Sequence, residues 1–206
     1  MPKLKINVRA FRGHPAPGIK LPFPLGAKLR PAQLRRMPRF QAVDPFLPER
    51  WEELETYRPH VLIGDPADLQ RLAEQVELGM IRLASVDHAI VVMTHLGAKP
   101  LDDQLRVTLW QSFGVPLYEL YIGPDHRLAA SECEAHDGWH LEAGVQFALQ
   151  GEELLLENPG APSLRTGLTG SLDDSPCPCG RTTARVKDIE ALNSKQRTLR
   201  VLAVSA

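Results

Sequence analysis

The chain has 206 residues and a mass of 22.9 kDa, enough for one core with at most a smaller lobe. Apolar residues make up 43 % and charged residues 24 %, a globular balance that excludes full-length disorder, collagen and coiled coil. The formal net charge of −1 conceals a strong asymmetry along the chain.

Residues 1–43 hold ten of the 24 Lys and Arg and no Asp or Glu, which leaves residues 44–206 with 14 basic against 25 acidic groups, net −11. Nine of the 18 prolines fall at or before Pro48. Such a density of proline forbids long helices and removes backbone donors. Residues 10–48 are therefore expected to form an extended, irregular arm lying across the acidic body. A basic arm can serve nucleic acid, but no aromatic residues interleave with the charges for base stacking, and the acidic body offers an internal partner. Nucleic acid is not the expected partner. No run of about eighteen apolar residues occurs, so no membrane span is expected. The opening MPKLKINVRAFRG lacks the continuous apolar stretch of a secretory signal, so the expected location is cytoplasmic.

The body begins with WEELETYR, residues 51–58, a short helix with an acidic first turn. Residues 60–64, HVLIG, read as a buried strand ending in glycine. Asp65 and Pro66 then start a helix over 67–79 with Leu69, Leu72, Ala73 and Val76 at helical spacing and Gly79 as its stop. Residues 88–93, HAIVVM, give a second strand. Leu101, Leu105, Leu109 and Phe113 recur every four residues and predict a helix over 101–113. Residues 116–121, PLYELY, give a third strand. Strand, helix, strand, helix, strand at this spacing implies right-handed crossovers and a parallel sheet.

After Tyr121 the pattern changes. Residues 127–133, 139–149 and 152–157 read as strands between Gly, Asp and Pro turns, and helical periodicity does not return before about residue 184. The expected fold class is α/β, a parallel βαβ half followed by a mostly antiparallel β half. The expected organisation is a basic Pro-rich arm over 1–48, an α/β domain over 49–190, and a C-terminal tail or edge strand over 191–206.

Three cysteines is an odd count, which argues against a disulfide framework and for metal binding or reactive thiols. Cys133 lies in Glu132-Cys133-Glu134-Ala135-His136-Asp137-Gly138-Trp139-His140, and the other two form Cys177-Pro178-Cys179-Gly180-Arg181. Zinc takes four thiolate or imidazole ligands in tetrahedral geometry. Cys177 and Cys179 sit on a Pro/Gly-stiffened turn that lets both sulfurs meet one ion. Cys133 and a nearby histidine can come from facing strands of a hairpin. The expected set is Cys133, His140, Cys177 and Cys179, with His136 as the rival fourth ligand. A Cys₃His site has no open position and stabilises the fold without doing chemistry.

These clusters resemble the phenylacetate–coenzyme A ligase branch of the adenylate-forming superfamily, as does Gly151-Glu152-Glu153-Leu154. Upstream, Trp51…Pro59-His60-Val61-Leu62-Ile63-Gly64 resembles the segment before the family's substrate-side helix, and Gly97-Ala98-Lys99-Pro100-Leu101 its Gly-Ala-Glu-Pro adenine-side turn. Phe113-Gly114…Tyr118…Tyr121 resembles the lead into its Tyr-Gly-x-Thr/Ser-Glu motif. The similarity covers about residues 50–190. It implies a fragment of the ligase large domain, with a structural zinc on the matching Cys, His and Cys-x-Cys positions. It also implies a nucleotide side at Gly97, Ala98, Lys99, Pro100, Tyr121, Asp125 and Arg165.

The family's chemistry activates a carboxylic acid with ATP and Mg²⁺ and passes the acyl group to coenzyme A. The departures here fall on that chemistry. Residues 1–50 contain no Ser/Thr/Gly-rich phosphate loop. Asp125 stands where the resemblance calls for the magnesium-binding Glu, and Ile122 where it calls for Gly. Arg165-Thr166-Gly167-Leu168 puts leucine where the ribose-binding Asp belongs, which forfeits about 1–3 kcal/mol per lost hydrogen bond. The chain stops at Ala206, before the family's small domain with its catalytic lysine. These losses remove positioning and charge stabilisation together. The expected function is a non-catalytic, ligase-like protein with a structural zinc, binding an acyl or nucleotide-like ligand or a protein partner. No catalytic residue is expected. The alternative is a carboxylate–CoA ligase half, using ATP, Mg²⁺ and CoA, that needs a partner chain. The sheet edge left where the absent half would pack makes a second copy or another protein the expected partner. His95 and His126 read as ordinary polar residues at strand ends.

Overall fold

Two aspartates start the two long helices. The structure, a computed structural model, describes residues 29–35, 45–124, 126–158 and 161–192. Asp65 accepts a hydrogen bond from the Asp68 N–H at 2.9 Å, with Pro66 in the first turn, and opens α2, Pro66–Glu77. Asp102 accepts from the Leu105 N–H at 2.8 Å and opens α3, Asp103–Phe113. The helix expected from residue 101 thus starts two residues later, because Asp102 is its cap and Leu101 is buried ahead of it. Gly114, at φ 67°, ends α3 in the left-handed conformation that glycine adopts without strain.

The short helix α1 is Glu53–Tyr57, and the first body strands are β2, Val61–Gly64, β3, Ala89–His95, and β4, Leu117–Ile122. With β1, Pro31–Gln33, they pair in parallel in chain order, and α2 and α3 form the crossovers. From β4 onward every pairing is antiparallel, through β5, Leu128–Ser131, and β6, Trp139–Leu141. Next in the sheet come β10, Arg185–Ala191, then β9, Ala161–Asp173, β8, Glu153–Asn158, and β7, Gln146–Gln150, at the far edge. All ten strands among the described residues form one sheet. The parallel-then-antiparallel α/β architecture is the one the sequence predicts.

The helices bury Leu69, Leu72 and Leu109 with Leu62, Ile90, Val92 and Trp51 on one face of the parallel half. Val61, Ile63, Val91, Met93, Leu120 and Ile122 are buried on the other face. Burial on both faces explains why these strands read as continuous apolar runs. The antiparallel half has its own core of Tyr121, Trp139, Phe147, Leu154, Leu156, Leu168 and Val186.

Several local readings change, and β9 and β10 are strands beyond the three expected after Tyr121. Residues 31–33, inside the expected irregular arm, form β1 on β2, with Ala32 and Leu34 buried and the Phe46 N–H donating to the Gln33 carbonyl at 2.8 Å. Proline is tolerated as the first residue of an edge strand, so Pro31 does not prevent it. Arg35 meets Asp65 at 2.8 Å, an internal partnership of basic and acidic segments. The single strand expected over 139–149 is two strands. Gly144, at φ 80°, turns the chain between β6 and β7, which lie at different places in the sheet. The rest of the expected arm and tail, residues 1–28, 36–44 and 193–206, lies outside the described residues. Among the described residues no helix is long and apolar enough to cross a membrane.

Candidate metal centre

β5 leads into Glu132 and Cys133, whose side chain is fully buried. The chain then turns, with the His136 N–H donating to the Cys133 carbonyl at 3.0 Å. Gly138, at φ 86°, closes the turn against β10, where a Cβ would collide with the Val186 carbonyl oxygen. His140 follows on β6 and is buried. The second arm of the site descends from β9. Asp173 accepts from the Ser175 N–H at 2.8 Å, and the Gly180 N–H donates to the Cys177 carbonyl at 2.9 Å, with Gly180 at φ 84°. This tight turn presents Cys177 and Cys179 on one side.

The ligand atoms of Cys133, His140, Cys177 and Cys179 all lie within 4.8 Å of one another. The Cys133 and Cys177 sulfurs are 3.7 Å apart, and Cys179 Sγ is 3.4 Å from His140 Nε2. A tetrahedral ion with sulfur at about 2.3 Å and nitrogen at about 2.0 Å would hold its ligands about 3.8 Å (S–S) and about 3.5 Å (S–N) apart. The four side chains are thus close enough, and of the right chemistry, to bind one metal ion. His140 Nδ1 is 3.0 Å from Thr183 Oγ1, which fixes the ring and turns Nε2 toward the sulfurs. Burial holds the imidazole below its ordinary pKa and so favours the neutral, ligating form. Burial pushes the Cys133 thiol up to about 11, so an ion would have to displace its proton. The Cys177 thiol is raised by burial, yet backbone and thiol hydrogen bonding with Cys179 brings it below the ordinary range.

His136, the rival fourth ligand, is not in this group. Its ring packs 5.5 Å from that of Tyr118, and Nδ1 is 3.8 Å from Glu132. Behind the cluster lies Arg185, on β10 directly opposite His140, with Asp137, Asp173 and Ser175 around its guanidinium. The sequence reading did not single out Arg185. Its only signal was a place four residues after Arg181, and the pairing of β10 with β6 is not visible in a linear pattern.

The residues expected on a nucleotide side are dispersed in character. Gly97, Ala98 and Lys99 form an exposed turn beyond β3, with Ala98 N–H donating to His95 at 2.8 Å and Pro100 half-buried after it. Tyr121 is fully buried, its ring 5.0 Å from Trp139 in a stacked arrangement, and burial raises its phenol. Arg165 is 60 % exposed and held by the buried Glu153 at 2.8 Å. Leu168 is buried in the core of the antiparallel half. Asp125 lies outside the described residues. His95 and His126 approach edge to face at 6.3 Å. Two surface grooves, of about 910 and 390 Å³, are lined by other residues: one by Arg106, Val107, Trp110, Leu117 and Glu132, the other by Leu141, Val145, Phe147 and Leu172.

No protein-family model matches the chain, and no curated protein matches it. Solved structures do share its fold. The open conformation of 2-hydroxyisobutyryl-CoA ligase in complex with 2-HIB-AMP and CoA superposes with a TM-score of 0.53 at 15 % identity, over 68 % of this chain and 35 % of that one. The thioesterification state of the same ligase gives 0.51 at 15 % identity, over 68 % and 34 %. A long-chain-fatty-acid–CoA ligase from Archaeoglobus fulgidus gives 0.49 at 12 % identity, over 75 % and 39 %. The feature shared with the 2-hydroxyisobutyryl-CoA ligase structures is the adenylate-forming CoA ligase fold, and this chain spans about a third of the length of that ligase.

Proposed function

We propose that this chain, built on a piece of the adenylate-forming ligase fold, is a non-catalytic protein whose antiparallel half is stapled by one structural zinc ion. The observation that carries this reading is the convergence of every cysteine of the chain with His140. Cys133, His140, Cys177 and Cys179 would fill a tetrahedral shell and leave no open position. Such an ion supplies folding free energy by linking the β5–β6 turn to the β9–β10 turn, and supplies no reactive water. Phenylacetate-type kinship, suggested by the Cys-x-Cys-Gly-Arg and Glu-Cys motifs, agrees with this arrangement.

Two residues support loss of the nucleotide chemistry. By the resemblance, Leu168 stands where the family's ribose-binding carboxylate would be, and it packs against the second core. Tyr121, at the motif that would lead to the magnesium carboxylate, stacks on Trp139 inside the same core. Packing has taken over positions where the family places polar recognition. What remains is a stable sheet offering its surface to an acyl or nucleotide-like ligand or to a protein partner.

The second reading is a ligase half completed by a partner chain, with which the coverage of about a third of the solved ligase is compatible. Pyrophosphate release separates the two. The purified full chain, with ATP, Mg²⁺, CoA and a panel of aryl and fatty acids, is expected to release none. Carboxylate-dependent release by this chain alone would overturn the non-catalytic reading. Release only on adding a second polypeptide would establish the half-enzyme.

A further inference from the structure

We propose that Arg185 is the positioning residue of the metal centre, a buried fork that locks the Cys133–His140 loop to the turn bearing Cys177 and Cys179. The inference rests on the zinc reading of the four-residue cluster. Arg185 is 1 % exposed, and its position on β10 is in register with His140 on β6. Nη1 donates to the Asp137 carbonyl at 3.3 Å and to the Asp137 carboxylate. Nη2 donates to Asp173 at 2.8 Å and to Ser175 at 3.2 Å (carbonyl) and 3.0 Å (hydroxyl). Asp137 lies between Cys133 and His140 in the chain, and Asp173 and Ser175 lie just before Cys177. One side chain therefore spans both ligand-bearing segments from behind.

The choice of arginine follows from this geometry. A planar guanidinium reaches two loops at once, which a lysine ammonium cannot do with the same fixed directions. Burying a cation is costly, and an apolar residue of similar size often serves packing as well or better. Arg185 also keeps Nε buried without a hydrogen-bond partner among the described residues. Its hydrogen bonds among the described residues are all made by the two Nη groups. Lys187 joins the same two aspartates, at 2.8 Å to Asp137 and 3.5 Å to Asp173, but from a position 32 % exposed, where water competes. Groups that hold the ligand-bearing loops in place bear on ligand orientation, and through it on metal affinity.

The test uses the full chain loaded with zinc, and with cobalt as a spectroscopic stand-in. Arg185→Met is expected to weaken zinc, measured against a chromophoric chelator, by about 10–100-fold and to shift the visible cobalt bands. Arg185→Lys restores the charge without the fork and is expected to leave those bands shifted. Lys187→Met is expected to leave them unchanged. Wild-type zinc affinity and an unshifted cobalt spectrum in Arg185→Met would overturn the proposal, as would full recovery in Arg185→Lys. Should Arg185→Met not fold, the double variant Asp137→Ala, Ser175→Ala removes one side-chain contact of the fork on each loop, the Asp137 carboxylate and the Ser175 hydroxyl, and is expected to shift the cobalt bands. An unshifted spectrum there overturns the proposal equally. A wild-type chain that takes up neither metal removes the zinc reading itself, and the positioning role with it.

Discussion

The sulfur of Cys133, just beyond β5, lies 3.7 Å from the sulfur of Cys177, on the turn between β9 and β10. The two residues are 44 apart in the chain, and the sheet brings their segments together by placing β10 between β6 and β9. An ion at this point joins segments that also meet through a short β6–β10 ladder, the His140–Thr183 hydrogen bond and the Arg185 and Lys187 contacts. Stripping the metal should therefore lower stability substantially. With free zinc at about a thousand times its dissociation constant, the loaded chain is expected to exceed the stripped chain by about 4 kcal/mol in urea unfolding. Cys177→Ser should abolish that zinc-dependent gain. Equal unfolding midpoints with zinc and with chelator would contradict the staple.

Glu119 gives the pH dependence. Its side chain is 2 % exposed on β4, accepts from the Thr94 hydroxyl and accepts from the Leu101 N–H at 2.8 Å. Burial pushes its carboxyl from the ordinary 4.5 up to about 7. A carboxyl raised in the folded state favours folding when protonated. Its contribution is complete below pH 4.5 and is lost as pH rises through about 7. Glu119→Gln removes that loss. The variant should gain on the wild type as pH rises from about 5 to 8, by up to about 3 kcal/mol, both zinc-loaded. A difference that does not change with pH would contradict the assignment.

Gly138 tests the close approach that shapes the ligand loop. A Cβ there meets the Val186 carbonyl, whereas one at Gly144, also at positive φ, meets open space. Gly144→Ala should cost only the conformational penalty, about 1 kcal/mol. Gly138→Ala should cost about 1–3 kcal/mol more and weaken zinc binding, because β10 must shift away from β6. Equal costs in denaturant titrations would contradict the packing.

Neighbouring residues on α3 should behave oppositely. Leu109 is fully buried against the sheet, and Trp110 is 54 % exposed beside the larger groove. Leu109→Ala is expected to cost about 2–5 kcal/mol of stability, and Trp110→Ala less than about 1. A reversed order by urea unfolding would place the helix with its other face on the core.

The parallel half was legible because its signals are local. Asp65 with Pro66 is a helix start, and strands buried on both faces appear as unbroken apolar runs, whereas the apolar spacing did not mark the cap at Asp102 and began the helix two residues early. The grouping of Cys133, Cys177 and Cys179 with His140 was legible because zinc restricts ligand chemistry so narrowly that three cysteines and a nearby histidine suggest a shared site. What escaped was non-local. β1 is three residues long, begins with proline and draws its stability from pairing with β2. The break at Gly144 and the insertion of β10 beside β6 depend on strand order, which periodicity does not encode. Arg185 was missed for the same reason, since its partners Asp137 and Asp173 meet only in the folded sheet. Tyr121, placed on a nucleotide side by the resemblance, lies in the core of the antiparallel half with Trp139 stacked on its ring, a packing set by strand order.

X-ray absorption at the zinc edge, on the purified full chain, measures the central claim most directly. The expected result is one zinc per chain, with three sulfur atoms at about 2.3 Å and one nitrogen at about 2.0–2.1 Å. A shell of oxygen and nitrogen alone, or a protein that carries no zinc and titrates three free thiols, would contradict it.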